Sequence, residues 1–213
     1  MKCNRKGCVR GIYALKRIIH TPQPLGSCPS SARFYVATLT PQPQSRLQQG
    51  VGMSIEQDKQ FLRQCVALAV DSVACGGGPF AAMVVRDGKI LAQSGNCVTN
   101  SSDPTAHAEV QALRQAAALT GDPHLTDCTL YASCEPCPMC LAAAMWAHIP
   151  RIIYAATHDE AIRAGFDDTI IAIALYGQEL PVNLPAGRFQ HLPIPESSAP
   201  FDAWLAKEDR VPY

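Results

Sequence analysis

The chain has 213 residues, of which 47% are hydrophobic and 17% charged, and its 18 basic and 18 acidic side chains cancel. This composition indicates a soluble globular protein with enough length for one domain and tails. The charge is uneven: the first 55 residues hold eight Lys and Arg and no acid, which leaves 10 basic against 18 acidic side chains, a net of −8. An acidic body suits a polyanion poorly, so a small neutral substrate is favoured over tRNA or DNA.

Residues 1–52 differ from the rest in being basic, free of acids and rich in Pro, Ser and Gln. Three interpretations are open: a transit-like presequence, a disordered arm, or an extension of a chain whose natural start is Met53. We favour the Met53 start, because the segment lacks a clear amphipathic helix with a cleavage site. In each case residues 1–52 are expected to lie outside the fold, and the predicted folded domain is 53–213.

From Ser54 onward, segments with helical hydrophobic spacing alternate with short β-rich runs. Gly and Pro clusters separate them, and Asp87-Gly88 is a hairpin turn signal. The predicted elements in chain order are a helix from 54 that ends before the glycines at 76–78, strands at 80–86 and 90–95, a polar loop at 96–102, a helix at 104–119, a strand at 128–132, a helix at 135–148, a strand at 151–156 and a helical turn from 159. This alternation predicts a layered α/β sandwich with a mixed sheet.

Two motifs about thirty residues apart carry the side chains of chemical interest. The first contains His107 and, two residues later, Glu109, and the second spans Cys134 to Cys140. His107, Cys137 and Cys140 are three ligands of the kinds that zinc prefers, the number that a catalytic zinc site uses when its fourth position is kept for water. Glu109 is placed to exchange protons with that water. We therefore predict one catalytic Zn²⁺ per chain.

Each motif alone has an ordinary explanation, because two cysteines three apart are more often a structural zinc knuckle, a redox pair or buried thiols. The local pattern strengthens the pair. Asp103-Pro104 is predicted as the N-cap and first position of a helix, so that His107 and Glu109 would lie in its first turns. Cys137 and Cys140 fall at i and i+3 at the start of the next helix, with both sulfurs on one face. Two helix N-termini would also favour thiolates.

The ten cysteines do not suggest a disulfide scaffold, since they fall in the N-terminal extension, in apolar or strand-like segments, or in the motif. A zinc–thiolate site belongs in a reducing compartment, so we expect a cytoplasmic protein. The longest apolar stretch, 141–147, is far too short to cross a bilayer, and no membrane association is expected.

With these motifs, the chain from about Met53 to Tyr213 resembles the cytidine deaminase superfamily and, within it, the bacterial-type guanine deaminases. The two metal motifs are the zinc-deaminase signature H-x-E and P-C-x-x-C, which does not select a substrate. Narrower matches, Ala164–Asp168 and the terminal Tyr213, point to the guanine branch. The other matching strings are Gly77-Gly78-Pro79-Phe80, Asn96 and Asp103 to Glu109.

The resemblance implies a three-layer α/β/α sandwich with about five strands and hydrolysis of free guanine to xanthine and ammonia. It implies metal ligation by His107, Cys137 and Cys140, catalytic roles for Glu109 and Asp168, with Asp168 near the leaving amino group, and substrate contacts by Asn96, Phe80, Ala108, Phe166 and Tyr213. Asn96 would bind the polar edge of the purine, Phe80 and Phe166 would flank the ring, and Tyr213 would close the pocket. The family exchanges its C-terminal segment between two chains, which implies a homodimer that swaps residues 199–213.

Four of these positions also have ordinary explanations. Asn96 follows a strand and could satisfy loop backbone groups. Phe80 and Phe166 could simply be core. The pair Asp167-Asp168 could be solvated or could cap a helix, and a terminal Tyr213 could be frayed.

Three rival functions stay open. A tRNA adenosine deaminase has nearly the same metal motifs but would carry a basic surface and a basic last helix. A guanosine, cytosine or other small-base deaminase differs only in its pocket. A catalytically inactive zinc-binding partner subunit would be expected to lack the proton-carrying Glu109.

Overall fold

The sheet lies at the centre of the fold and has the strand order β2-β1-β3-β4-β5. The computed structural model describes residues 53–177 and 187–213, so the predictions for 1–52 lie outside the described residues. The strands are β1 (Ala81–Arg86), β2 (Lys89–Gly95), β3 (Cys128–Cys134), β4 (Arg151–Ala156) and β5 (Phe189–His191). β1 is antiparallel to β2 and β3, whereas β3, β4 and β5 run parallel, which confirms the predicted mixed five-stranded sheet.

Helices connect and cover these strands. Within the described residues they are α1 (Ile55–Ala74), α2 (Val98–Ser101), α3 (Ala108–Thr120), α4 (Pro138–Trp146), α5 (His158–Arg163), α6 (Thr169–Tyr176) and α7 (Ala199–Ala206). α1 begins at a capping box in which Ser54 and Gln57 satisfy each other's backbone N–H groups, and it ends at Cys75 before the glycines, as predicted. None of these helices combines the length and apolarity needed to cross a membrane.

The two faces of the sheet pack against different helices, which confirms the three layers. Successive side chains of a strand point to opposite faces. In β1, Ala82 and Val84 join a cluster with α3 and α4, whereas Ala81, Met83 and Val85 join a cluster with α1. Since β1, β3 and β4 are buried on both faces, the carboxyl end of β3 delivers the second metal motif from a fixed position.

A buried ion pair ties α1 to the sheet. Asp58 is only 1% exposed, and its two carboxylate oxygens accept hydrogen bonds from the guanidinium of Arg151 at 2.9 and 2.7 Å. The Tyr131 hydroxyl donates to the same carboxylate at 2.5 Å. Helix α1 and strands β3 and β4 therefore meet at one carboxylate.

Replacing Asp58 by Ala is expected to lower the free energy of unfolding by about 3 kcal/mol or more, because it leaves a partly buried guanidinium and a buried hydroxyl without their acceptor. Glu56→Ala is the matched control, since Glu56 pairs with Arg63 at the exposed surface of the same helix and is worth about 1 kcal/mol or less. Denaturant unfolding of the two variants measures the difference. Equal losses of stability would contradict this assignment.

Candidate metal and active site

The predicted metal ligands lie at the N-termini of α3 and α4. His107 is the N-cap residue of α3, Cys137 is the N-cap residue of α4, and Cys140 lies in the first turn of α4. Pro138 stands at the first position of α4, where its missing N–H costs nothing and its fixed φ suits the helix. The positive ends of two helix dipoles therefore point towards the same site.

The predicted start of α3 is wrong by four residues. The helix begins at Ala108 and not at Pro104, because Asp103 forms a local turn instead of a helix cap. The Asp103 carboxylate accepts hydrogen bonds from the backbone N–H and the hydroxyl of Thr105 at 2.8 and 2.7 Å. His107 consequently has extended backbone with φ −62° and ψ 151°, one residue before the helix.

The three ligand atoms are spaced as a tetrahedral zinc would require. Nδ1 of His107 lies 3.6 Å from Sγ of Cys137 and 3.5 Å from Sγ of Cys140, and the three ligand atoms all lie within 4.8 Å of one another. Zn–S bonds of about 2.3 Å and Zn–N bonds of about 2.0 Å at the tetrahedral angle give N···S separations of about 3.5 Å. The donor set and its spacing therefore fit Zn²⁺.

The two thiols need a cation to ionise together. The hydrogen bond between them lowers the pKa of Cys137 and raises the pKa of Cys140, with burial opposing the first shift and adding to the second. A divalent metal held by these residues would favour the thiolate form of both sulfurs, because zinc is ligated by thiolates.

Glu109 is buried directly behind the ligands. Its Oε2 lies 3.5 Å from Sγ of Cys140, and it is 8% exposed. Burial, together with the negative charge of Cys137, raises the pKa of the Glu109 carboxyl to about 7. A carboxyl group that gains and loses a proton near neutral pH is suited to carry protons during hydrolysis.

A cavity of about 350 Å³ opens onto the ligands and Glu109, a size that suits a small-molecule site. Its wall contains His107, Cys137, Glu109, Phe80, Phe166, Asp168, Tyr213, Val98, Pro104, Cys134, Glu135, His158, Ala161, Asp167 and Ile171. The predicted catalytic and aromatic residues are therefore brought together around one space.

Aromatic side chains, including that of the C-terminal residue Tyr213, form one part of the cavity wall. Phe80 and Phe166 meet edge to face at 4.9 Å, and the ring of Tyr213 lies 5.4 Å from Phe166. Phe201 and Trp204 of α7 pack behind them at 5.8 and 5.3 Å. In this chain Tyr213 lies in the cavity of its own subunit.

Gly78 provides the space that the Tyr213 ring occupies. A Cβ at Gly78 would lie 2.3 Å from the Tyr213 hydroxyl oxygen and 3.0 Å from two of its ring carbons. Gly78→Ala is therefore expected to displace Tyr213 and raise the KM for substrate while the zinc content stays unchanged. Steady-state kinetics measure the effect, with Glu56→Ala at the exposed surface of α1 as control. A normal KM in Gly78→Ala would contradict the placement of the Tyr213 ring against Gly78.

Asn96 and Ala108, two of the predicted substrate residues, are not among the residues that line the cavity. Asn96 is 2% exposed, and its Oδ1 accepts the backbone N–H of Val98 at 3.2 Å, so the amide does satisfy a loop backbone group. That bond orients the carboxamide and makes Nδ2 the atom available to a ligand. Ala108 is fully buried at the first position of α3, between His107 and Glu109. The substrate roles of both residues stay predictions.

Asp167 and Asp168 have different surroundings. Asp167 is exposed, and its carboxylate accepts the backbone N–H of Thr169 at 2.9 Å, which is a turn-capping role. Asp168 turns towards the cavity, and burial raises the pKa of its carboxyl. Among the described residues, its Oδ1 is buried and receives no well-directed hydrogen bond.

Comparison with known proteins decides the family. Residues 55–156 match the cytidine and deoxycytidylate deaminase zinc-binding region. The guanine deaminase of Bacillus subtilis is 47% identical over 154 residues, which cover 72% of this chain and 97% of that protein. The chain belongs to the cytidine deaminase superfamily, with the guanine deaminases. It is a zinc-dependent enzyme, a hydrolase that acts on a carbon–nitrogen bond of a cyclic amidine.

Solved structures agree on the fold of this deaminase. The X-ray structure of the Bacillus subtilis guanine deaminase covers 73% of this chain and 98% of its own, with 44% identity and a TM-score of 0.54. A mutant protein crystallised in complex with 8-azaguanine covers 70% of this chain and 85% of its own, with 28% identity and a TM-score of 0.59.

A tRNA-specific adenosine deaminase of Agrobacterium fabrum is 42% identical over 78 residues, which are 37% of this chain and 51% of that protein.

Eight residues of the deaminase's cavity wall are not among the predicted site residues, and three of them, Glu135, His158 and Ile171, are polar or come from elements that the motifs do not include. Glu135 lies inside the second metal motif, so its position gives a signal that the metal-ligand pattern does not use. His158 and Ile171 come from α5 and α6, and no spacing in the sequence links them to the motifs. The packing of α5 against the ends of β3 and β4, and of α6 against α4, brings them to the site.

Proposed function

We propose that the chain hydrolyses free guanine to xanthine and ammonia. One observation carries the proposal: a buried carboxyl, Glu109, contacts a zinc-spaced His–Cys–Cys set and lines the same aromatic-walled cavity as His107 and Cys137. Supporting it are the 47% identity with a guanine deaminase over nearly its whole length and the relative crystallised with 8-azaguanine.

His107, Cys137 and Cys140 would hold the metal, which, when bound, supplies a Lewis acid and a water whose pKa is close to neutral. Glu109 would accept one proton of that water and pass it to a ring nitrogen as the new C–O bond forms. It would then carry the second proton, from the resulting C2 hydroxyl, to the departing amine, so that ammonia leaves as the carbonyl of xanthine forms. Asp168 would accept an N–H of the amino group as it leaves, because its Oδ1 is a buried acceptor in need of a donor.

The remaining residues would select a planar base. Phe80 and Phe166 would flank the ring, Ala108 would approach it through its backbone, and Tyr213 would close the cavity. Asn96 would bind the polar edge of the purine with Nδ2. A ring without matching polar groups would leave these partners unsatisfied, at a cost of about 1–3 kcal/mol each.

We propose that two chains form a homodimer that exchanges residues 199–213, so that the place this segment takes on its own subunit here would be filled in the dimer by the same segment of the other chain. Exposed apolar side chains support pairing: Trp146 on α4 and Ile170 on α6 are each 83% exposed, and Leu175 on α6 is 65% exposed. We further propose that residues 53–213 form the deaminase domain, that residues 1–52 are an extension outside it, and that the protein acts in the cytoplasm. Support for the location is the zinc ligand set of His107, Cys137 and Cys140, because its two sulfurs must be kept reduced to bind a metal.

The acidic body argues against the tRNA-deaminase alternative. Residues 56–213 carry 10 basic and 18 acidic side chains, a net of −8, and the last helix and tail contain Asp202, Glu208 and Asp209. Polyanion binding requires the opposite charge. The presence of Glu109 in the cavity wall argues against an inactive partner subunit.

Ammonia release from guanine, guanosine, cytosine, cytidine, adenine and a tRNA anticodon stem tests the proposal, with the full chain and a protein starting at Met53 compared. Turnover of guanine to xanthine with both proteins is expected. Turnover of another member of the panel in place of guanine would refute the choice of substrate.

A further inference from the structure

The imidazole of His158 lies between the catalytic cavity and a second cavity. The second cavity has a volume of about 340 Å³ and is lined by Glu135, Thr157, His158, Asp159, Ile162, Thr169 and Ala172. Its wall shares Glu135 and His158 with the catalytic cavity. His158 is the first residue of α5, whose start is fixed by a capping box between Thr157 and Glu160.

Three contacts fix the orientation of His158. Its backbone N–H donates to Oε2 of Glu135 at 3.2 Å. Its ring Nε2 lies 3.2 Å from the hydroxyl oxygen of Thr169, and its ring Nδ1 lies 3.0 Å from Oδ1 of Asp168. With backbone and both ring nitrogens engaged, the imidazole is held in one rotamer against the carboxylate.

Asp168 depends on this contact more than a surface carboxylate would. Its side chain is 22% exposed, and Oδ1 is the atom that lacks a well-directed hydrogen bond among the described residues. The approach of His158 Nδ1 is close in distance but lies off the line that a hydrogen bond prefers. The carboxylate is therefore restrained on one side by the imidazole, while an oxygen lone pair stays available to a donor in the cavity.

We propose that His158 is a positioning residue that aims the Asp168 carboxylate at the leaving amino group. This inference rests on the proposed function of Asp168 in guanine deamination. With the Thr169 hydroxyl as donor to Nε2, the ring proton would lie on Nδ1, facing Asp168. That N–H restrains Oδ1 as the carboxylate accepts the N–H of the departing amine. His158 itself makes and breaks no bond.

Three variants at His158 test the role, because Asn places an amide nitrogen near the position of Nδ1 whereas Gln places one near Nε2. His158→Ala is expected to lower kcat on guanine about 10- to 100-fold with little change in KM, the usual cost of losing an orienting partner. His158→Asn is expected to recover most of that loss, and His158→Gln is not. Zinc content is measured for each variant and is expected to stay at one per chain.

The outcomes separate the inference from the function on which it rests. A wild-type protein that does not deaminate guanine would overturn the proposed function. If the wild type is active, a normal kcat in His158→Ala, or equal recovery in the Asn and Gln variants, would overturn the positioning role. Should the Ala variant fail to fold, the contrast between Asn and Gln decides alone, since both keep a polar side chain of similar size.

Discussion

Glu109→Gln is expected to retain zinc and lose guanine turnover by a factor of about 10² to 10⁴, the contribution of a positioned proton-transfer group. The amide keeps the shape of the side chain behind Cys140, so the ligand set is undisturbed. It cannot accept a proton from water and return it to the leaving amine. Proton transfer is thereby removed while binding and metal are preserved.

Glu160→Gln is the control for Glu109→Gln. Glu160 accepts the backbone N–H of Thr157 at 2.7 Å in the capping box of α5, a role that Gln also fills. The control should turn over guanine at the wild-type rate. If zinc-loaded Glu109→Gln protein turned over guanine at nearly the wild-type rate, the proton-transfer role of Glu109 would be contradicted.

Replacing Cys137 by Ala is expected to remove both the bound zinc and all measurable activity. Two remaining ligands hold zinc poorly, and the loss of a thiolate also removes negative charge that the cation neutralises. Zinc per chain is measured on purified protein, together with ammonia release from guanine. Thermal unfolding of the wild type should shift down on addition of a chelator, whereas the variant should be insensitive, because only a bound metal stabilises the folded state.

Cys75→Ala is the matched control for this experiment. Cys75 is exposed at the end of α1 and is not part of the cavity wall, so its replacement should leave zinc and activity unchanged. Full zinc content in Cys137→Ala would show that the ion is held elsewhere.

The local signals in the sequence predict most of the fold. The capping box at Ser54, the Asp87-Gly88 turn and the apolar runs of β3 and β4 each act over a few neighbouring residues. Asp87 and Gly88 both have positive φ, 50° and 70°, as a tight hairpin turn requires. The bounds of elements that have such local signals are therefore predicted to within a few residues.

Elements that depend on distant partners are predicted poorly. β5 has only three residues, and it becomes a strand because it pairs with β4. The loop predicted at 96–102 contains the single helical turn α2. The start of α3 is misplaced because the Asp103 side chain has two local options, and the turn prevails over the helix cap.

The candidate site shows the same division. The metal ligands follow from motif spacing, since the ends of two helices meet at one point. The distinction between Asp167 and Asp168 does not follow from sequence, because adjacent carboxylates have identical chemistry until one accepts the backbone N–H of Thr169 and the other is partly buried beside His158. His158 reaches Asp168 only through the packing of α5, so it has no counterpart in the sequence pattern.

X-ray absorption at the zinc edge tests the central claim most directly. The account predicts one zinc per chain with two sulfur neighbours at about 2.3 Å and nitrogen or oxygen neighbours at about 2.0 Å. Protein without stoichiometric zinc, or a shell of four sulfurs, would contradict it.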